Sequence, residues 1–294
     1  MEKMLNSKRV ACILCGTILS TLGENRLSIA LGVCWMLIGV VGSDKPFIYL
    51  RRLLVTLWFW LGISVGTLLT SILVAFFFIF KRDMVTHDFI TLLIEDVMAV
   101  IIYWWMTLPQ IWVVTEYRIS GIKAEDVSSD KGPFILASNH NSFVDTLFIA
   151  LIDHRKTYTY NYKYRWAPLF GQLCWLAGYI GIRKGVPSTP EIVQRVKAGY
   201  SIMIYPEGTR NKNPKAGVVA ETLRTGVFHV ASQTGCSILP IKMVGTDEIV
   251  MPYWIADIGE VKLITCRPYK VCAEFDPEEE KRRYATIINK CPNK

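Results

Sequence analysis

Two short polar stretches carry residue types suited to proton transfer and to anion binding. The first, Asn139-His140-Asn141-Ser142-Phe143-Val144-Asp145, directly follows the apolar run Phe134–Ser138. An imidazole takes and returns a proton near neutral pH. A carboxylate five residues on, at a helix start, can accept from one ring nitrogen, fix the tautomer and leave the other nitrogen free for a proton. The same spacing has a purely structural reading. Ser142-Phe143-Val144-Asp145 is a capping box, in which Asp145 ties down the helix start and His140 is an ordinary loop residue. None of His87, His154 and His229 has an aspartate five residues later, and His229 falls in a helical run.

The second stretch is Tyr205-Pro206-Glu207-Gly208-Thr209-Arg210. A strand is expected to end at the residue before the proline, and Gly208 permits a tight turn. Exposed amides, the Thr209 hydroxyl and the Arg210 fork can cradle a phosphate. The stretch reads equally as a polar turn with a solvated arginine. Glu207 would repel a phosphate, so it suits orienting Arg210 or accepting from a substrate hydroxyl. Between the two stretches, Gly178-Tyr179-Ile180-Gly181-Ile182-Arg183 ends a strand in a cation, with Lys184 next. Lys163 is a further cation, of a kind usually just solvated. Ligands of open α/β sheets collect at the carboxyl ends of strands. Three strands ending at His140, Arg183 and the Glu207–Arg210 loop therefore point to one site.

Positioning these loops calls for an α/β domain. Phe134–Ser138, Thr157–Tyr164, Tyr179–Ile182, Ser201–Tyr205, Ser237–Lys242 and Tyr269–Phe275 read as strands. Phe143–Ile152 and Trp166–Ala177 read as helices. So does a segment capped by Thr189 with Pro190 in its first turn, and so does Glu221–Gln233, stopped by Gly235. Such alternation predicts a sheet flanked by helices, without giving the strand order. The domain is expected over residues 116–294, behind an N-terminal transmembrane or interfacial helical region over residues 1–115.

That N-terminal region is a series of apolar runs. Val10–Leu22 and Leu27–Val41 are short for a span and read as a membrane hairpin or one interrupted anchor. Lys3, Lys8 and Arg9 before them look like the start of a signal peptide, but no small-residue cleavage site follows. Leu53–Phe80 runs 28 residues without a charge between Arg51-Arg52 and Lys81-Arg82. It exceeds a roughly 30 Å hydrocarbon core at about 1.5 Å per residue, and its basic flanks on both sides give no orientation. Inside it, Gly62-Ile63-Ser64-Val65-Gly66 matches a hydrolase nucleophile elbow. That motif needs a strand, a turn and a helix, so here the glycines read as helix packing. Val97–Met106, behind Glu95-Asp96 and ending in Tyr103-Trp104-Trp105, fits the membrane–water interface.

Composition agrees. The 294 residues are 51% hydrophobic and 20% charged, which excludes a disordered chain and is too apolar for an ordinary soluble domain. Net charge +8 suits an anionic membrane or a phosphorylated substrate, and so much continuous apolar sequence argues against nucleic acid. Eight scattered cysteines in a chain of this length do not suggest a disulfide framework, and Cys12-x-x-Cys15 lacks the second pair of a zinc site. No metal is expected.

At these residues the sequence resembles the glycerolipid acyltransferases, most closely those that acylate 1-acyl-glycerol 3-phosphate (lysophosphatidic acid). Asn139, His140 and Asp145 match the family's N-H-x-x-x-x-D block, and Gly178–Arg183 matches its Gly/aromatic strand ending in arginine. Pro206–Arg210 matches its P-E-G-T-R loop, with Tyr205 where Phe is usual, and Ile238-Leu239-Pro240-Ile241 matches an apolar strand around a proline. The resemblance implies transfer of a fatty acyl group from a thioester, acyl-CoA or acyl carrier protein, to the 2-hydroxyl of the lysolipid, giving phosphatidic acid. It implies His140 as general base and Asp145 as its partner. No metal, cofactor or acyl-enzyme is implied, and Ser142 is expected to cap rather than attack. Substrate contacts are expected from Arg183, Glu207, Gly208, Thr209 and Arg210, then Lys163 and Lys184. The enzyme is expected in the bacterial inner membrane or endoplasmic reticulum, facing the cytosol. A different acceptor (another lysophospholipid, a lyso-aminolipid or glycerol 3-phosphate) stays open, as does a non-catalytic membrane lipid-binding protein.

Overall fold

Period-two alternation of apolar residues builds the sheet. Leu136 and Met203 face one hydrophobic cluster, whereas Ile135, Ala137 and Ile202 face another. The computed structural model describes residues 45–84, 86–100, 111–117, 132–152, 155–183, 185–186, 188–213, 217–249, 255–257 and 259–291. The expected anchors at Val10–Leu22 and Leu27–Val41 lie outside these residues, as do Lys184, His154 and Cys12-x-x-Cys15.

In chain order the elements are α1 (Lys45–Phe80), α2 (His87–Val100), β1 (Ile111–Tyr117), β2 (Ile135–Ser138), α3 (Asp145–Ile149), β3 (Lys156–Asn161), α4 (Phe170–Leu176) and β4 (Ile180–Ile182). Then come α5 (Thr189–Lys197), β5 (Ser201–Ile204), α6 (Gly226–Thr234), β6 (Ile238–Val244), α7 (Thr246–Ile249), β7 (Gly259–Thr265) and α8 (Pro277–Lys290). The seven strands lie in the order β1-β7-β6-β2-β5-β3-β4. From β6 to β4 the pairs are parallel, so β2, β5, β3 and β4 all deliver their carboxyl ends to one edge. Strand β7 runs antiparallel to β6 and carries β1 parallel beside it. Helices cover both faces. Val55 and Phe59 of α1, Met98 of α2 and Phe148 of α3 pack on one cluster. Ile192 of α5, Phe228 of α6 and Tyr284 of α8 pack on the other. This is the expected α/β sheet flanked by helices.

Several boundaries differ from the sequence reading, each for a local reason. Helix α4 begins at Phe170 rather than Trp166, because Pro168 disfavours helix at the preceding residue and Leu169 takes φ 61°. Strand β3 ends at Asn161, whose side chain accepts from the Lys163 N–H (3.1 Å) and starts a 3-10 turn, Tyr162–Trp166. Helix α5 begins with Thr189 already inside it and Ser188 at the cap position. Helix α6 starts at Gly226, behind a separate 3-10 turn Ala220–Thr222. It does stop at Gly235, in the left-handed region at φ 68°. Tyr269–Phe275 makes only a single bridge, Tyr269 with Ile238, rather than a strand. Strand β1 crosses the expected boundary between residues 115 and 116.

Helix α1 joins the two parts of the molecule. Asp257 receives Arg51 through both oxygens (2.9 and 3.0 Å) and Arg52 at 3.0 Å. Thr56 exchanges hydrogen bonds with the Ala256 backbone (2.9 and 3.2 Å). Val55, Phe59, Gly62, Gly66, Thr70 and Val74 are buried at helical spacing on one face. The glycines of the elbow-like motif thus lie in unbroken helix on the packed face. Opposite them, Leu61, Leu68, Ile72, Phe76 and Phe80 are exposed. The 33 residues Ile48–Phe80 are long and apolar enough to cross a membrane, with a mean hydropathy of 2.4 in their most apolar window. Helix α2 is tied down by Glu95, which meets the buried Lys156 ammonium at 3.1 Å. Asp88 is bonded to both Arg155 and Tyr200.

Candidate active site

Strand β2 ends in Ser138, and the next residue anchors the loop. Asn139 donates to the Met243 carbonyl (2.8 Å) and accepts from the Met243 N–H (2.7 Å), reading the neighbouring strand as a second strand would. His140 follows. Its Nδ1 lies 2.7 Å from Asp145 Oδ2. A carboxylate can only accept, so Nδ1 carries the hydrogen and Nε2 is left with a lone pair. The same oxygen accepts from the backbone N–H groups of Asn141 (2.7 Å) and Ser142 (2.9 Å). Asp145 thus orients the ring and pins the loop ahead of the helix, but the expected capping box does not form: α3 starts at Asp145 itself, with Val144 at the cap position and no side-chain cap bond. Asp145 has no exposed side-chain surface, while 18% of the His140 side chain reaches solvent. The other oxygen of Asp145, Oδ1, has no hydrogen-bond partner among the described residues.

Strand β5 lies beside β2, so its terminal loop folds back on His140. Glu207 is buried, and its Oε1 accepts from the His140 N–H at 2.8 Å. The Asn211 N–H donates to the His140 carbonyl at 2.6 Å. The histidine backbone is thus held on both sides by the second motif. Glu207 makes no hydrogen bond or ion pair with Arg210 among the described residues, the orienting role the sequence reading offered; its Oε1 braces the backbone of the base instead. Burial pushes its carboxyl above the ordinary value of 4.5, against the opposing pull of the His140 N–H. Tyr205 lies flat on the imidazole, with ring centroids 4.0 Å apart and planes 18° from parallel. Its hydroxyl is 3.2 Å from Thr146 Oγ1.

The cations are spread along the edge. Arg210 and Thr209 are exposed beside Gly208, which takes φ 66°. A Cβ at Gly208 would lie 2.2 Å from Arg224 Nε, so glycine lets a second guanidinium lie over the turn. Arg183 is exposed at the end of β4 and stacks on Tyr162, 3.5 Å from the ring centroid. Strand β4 stands three strands from β2, about 14 Å at ordinary strand spacing. Arg183 therefore belongs to the rim rather than to the immediate surroundings of the imidazole. Lys163 is exposed at the 3-10 turn after β3. No group of three or more His, Cys, Asp or Glu among the described residues is placed to hold a metal. The five described cysteines form no disulfide with one another.

Sequence reasoning missed Tyr205 as a support, Arg224 as a cation and Asn211 as a clamp. Only Tyr205 left a signal, in standing where the family usually has Phe. Asn211 is itself held, donating to Gly217 O at 2.9 Å, and Asn289 of α8 pairs with the Val218 backbone (2.8 and 2.9 Å).

Residues 119–244 match the family model described as Acyltransferase. Over 174 residues the chain is 26% identical to 1-acyl-sn-glycerol-3-phosphate acyltransferase BAT2, chloroplastic, of Brassica napus, covering 56% of this chain and 49% of that protein. Over 178 residues it is 28% identical to 1-acyl-sn-glycerol-3-phosphate acyltransferase of Haemophilus influenzae, covering 56% and 68%. The chain spans about half the length of the first of these relatives. The crystal structure of the 1-acyl-sn-glycerophosphate (LPA) acyltransferase PlsC from Thermotoga maritima superposes with a TM-score of 0.67 over 82% of this chain and 94% of that one, at 21% identity, a shared fold. The paired His140 and Asp145 and the loop that clamps them both fall within residues 119–244, the segment that matches the Acyltransferase family model and is similar to proteins named for 1-acyl-sn-glycerol 3-phosphate.

Proposed function

We propose that this protein is a membrane-bound acyltransferase that esterifies the 2-hydroxyl of 1-acyl-glycerol 3-phosphate with the acyl group of a thioester, giving phosphatidic acid. The observation that carries this reading is the His140–Asp145 contact of 2.7 Å, with the Pro206–Arg210 loop bonded to the same histidine. His140 Nε2 accepts the hydroxyl proton while the oxygen attacks the thioester carbonyl. The tetrahedral intermediate collapses, the C–S bond breaks, and the imidazolium returns the proton to the leaving thiolate. Asp145 holds the tautomer and stabilises the imidazolium. Arg210 and Thr209, with Gly208 amide exposure, suit the acceptor phosphate, and Arg183 and Lys163 suit charge further along the rim.

The membrane serves the chemistry. Ile48–Phe80 of α1, packed along one face and apolar on the other, is longer than a roughly 30 Å hydrocarbon core at about 1.5 Å per residue. A lysolipid and an acyl chain both concentrate in such a bilayer. The test is mass spectrometry of products from purified full-length protein, given lysophosphatidic acid with mixed acyl-CoA or with acyl carrier protein thioesters. Phosphatidic acid from wild type and none from His140→Ala is the expected result. Product only from another lysolipid or from glycerol 3-phosphate would move the acceptor. No product from any acceptor would favour a lipid-binding protein.

A further inference from the structure

A second surface of this molecule has the character of a membrane contact. Within twelve residues of chain, Tyr164, Trp166, Leu169, Phe170 and Trp175 are 45%, 78%, 44%, 44% and 58% exposed. Single exposed apolar side chains are ordinary, whereas five together with two indoles are not. From Arg155 to Pro190 the sequence has no acidic residue; Arg155 and Lys156 are paired with Asp88 and Glu95 of α2, which leaves Lys163, Arg165, Arg183 and Lys184 as further cations. Lys163 and Arg183 are exposed beside the aromatic group. Aromatic rings interleaved with cations match the boundary between acyl chains and anionic headgroups.

Placement supports that occupant over a protein partner. Leu173 and Ala177, at the buried side of α4, share one cluster with Ile90 of α2 and Val74 of α1. Val74 lies inside the apolar stretch Ile48–Phe80. Helix α4 is therefore mounted on the helix with membrane-spanning character, with Phe170 and Trp175 exposed beside that contact in sequence. Leu169 contributes by adopting φ 61°, a conformation costly for a residue with a Cβ, while remaining 44% exposed. Phe143, three residues from His140, touches Tyr164 edge-on with centroids 6.4 Å apart, so the patch borders the catalytic loop.

We infer that the exposed face of residues 164–175, with its flanking cations, inserts into an anionic lipid surface as a second membrane contact beside α1, seating the mouth of the site at headgroup level. This rests on the reading of α1 as a membrane helix. The test uses full-length protein in vesicles of phosphatidylcholine, with and without phosphatidylglycerol, whose acyl chains are brominated near the glycerol. Trp166→Phe/Trp175→Phe removes two exposed indoles and keeps the apolar surface. The emission of wild type minus that of this variant reports residues 166 and 175, while Trp58→Phe/Trp60→Phe, subtracted in the same way, reports the two indoles of α1 apart from the other five tryptophans. The difference emission should be blue-shifted, roughly halved or more by brominated lipid, and more strongly quenched with phosphatidylglycerol present. Lys163→Gln/Arg165→Gln should abolish that response to anionic lipid. A red-shifted, unquenched difference emission for residues 166 and 175, with a quenched one for residues 58 and 60, overturns the second contact and leaves α1 in the bilayer. A blue-shifted but unquenched one shows a protein or a second copy on the patch and overturns it equally. Loss of quenching everywhere removes the reading of α1 as well.

Discussion

Asp145 Oδ2 holds the His140 ring at 2.7 Å while also accepting the N–H groups of Asn141 and Ser142, so one oxygen sets both the tautomer and the path of the loop. Asp145→Asn keeps an oxygen for the backbone donors but loses the charge that favours the imidazolium. The fold should persist and kcat should fall by about 10²–10⁴-fold, the usual weight of general base catalysis. Circular dichroism alongside single-turnover rates checks this. A variant that keeps near-wild-type turnover would exclude Asp145 from the proton transfer.

Tyr205 supports the same imidazole from beneath, with its hydroxyl on Thr146. Tyr205→Phe removes one hydrogen bond, about 0.5–1.5 kcal/mol, and should change kcat less than about tenfold. Tyr205→Ala removes the stacked ring and a partly buried volume. It should cost roughly 3–5 kcal/mol in stability and lower kcat far more than it raises KM. Thermal unfolding and a kcat/KM split over both variants separate support of the ring from general packing.

What the sequence revealed of the site was its local part. His140 and Glu207 each follow an apolar run of strand type, and chemistry-bearing loops at strand ends are legible because strand and loop are adjacent in the chain. Long-range pairing was not legible. Only the position of β5 beside β2 brings Glu207 to a backbone N–H 67 residues away. The partner of a buried carboxylate is a tertiary fact that residue type does not encode. Likewise Arg183 matches its motif, yet strand order places it at the outer edge of the sheet. Strand β7 escaped because its segment, Gly259–Thr265, mixes Glu260 and Lys262 into a short half-covered run. Arg51 and Arg52 read as a membrane flank, but both are ion-paired with Asp257.

Arg210 and Arg224 share one turn and divide its work. Arg210 makes no hydrogen bond or ion pair among the described residues and is free to meet a ligand, whereas Arg224 lies against Gly208. Arg210→Ala should raise KM for a phosphate-bearing acceptor by about tenfold or more, the worth of a charge-assisted hydrogen bond, and barely alter KM for the acyl thioester. Steady-state kinetics with each substrate varied in turn decides. Equal effects on both would remove the phosphate role.

Glu207 links the site to pH. Burial raises its carboxyl above 4.5, so over the range just above that value the folded protein binds more protons than the unfolded one, and stability declines as pH rises. Glu207→Gln removes this titration. The variant's melting temperature relative to wild type should climb as pH increases upward from 4.5 and level off once wild-type Glu207 is ionised. Melting curves of detergent-solubilised protein across pH test the sign. A relative melting temperature that falls through that interval would contradict the burial argument.

Asp257 carries the docking of α1, and through it the helix that follows His140. Val55 and Phe59 of α1 lie in one cluster with Val144 and Phe148, which flank Asp145, and Trp60 approaches Phe143 at 6.5 Å. Asp257 is nearly buried and accepts from two arginines, one of them 13% exposed, so Asp257→Ala takes a carboxylate away from a guanidinium largely out of water. Breaking such a pair costs about 3–5 kcal/mol when fully buried, and less here because Arg52 is screened by solvent. The cost should appear locally. Amide exchange should quicken in residues 48–60 and 143–149 while β5 and β6 keep their protection. Turnover should drop severalfold with the acceptor KM unchanged, because the base loses support and the phosphate loop does not. If exchange rises uniformly across the sheet instead, α1 is a general buttress of the domain and its contact with Asp257 has no particular bearing on His140.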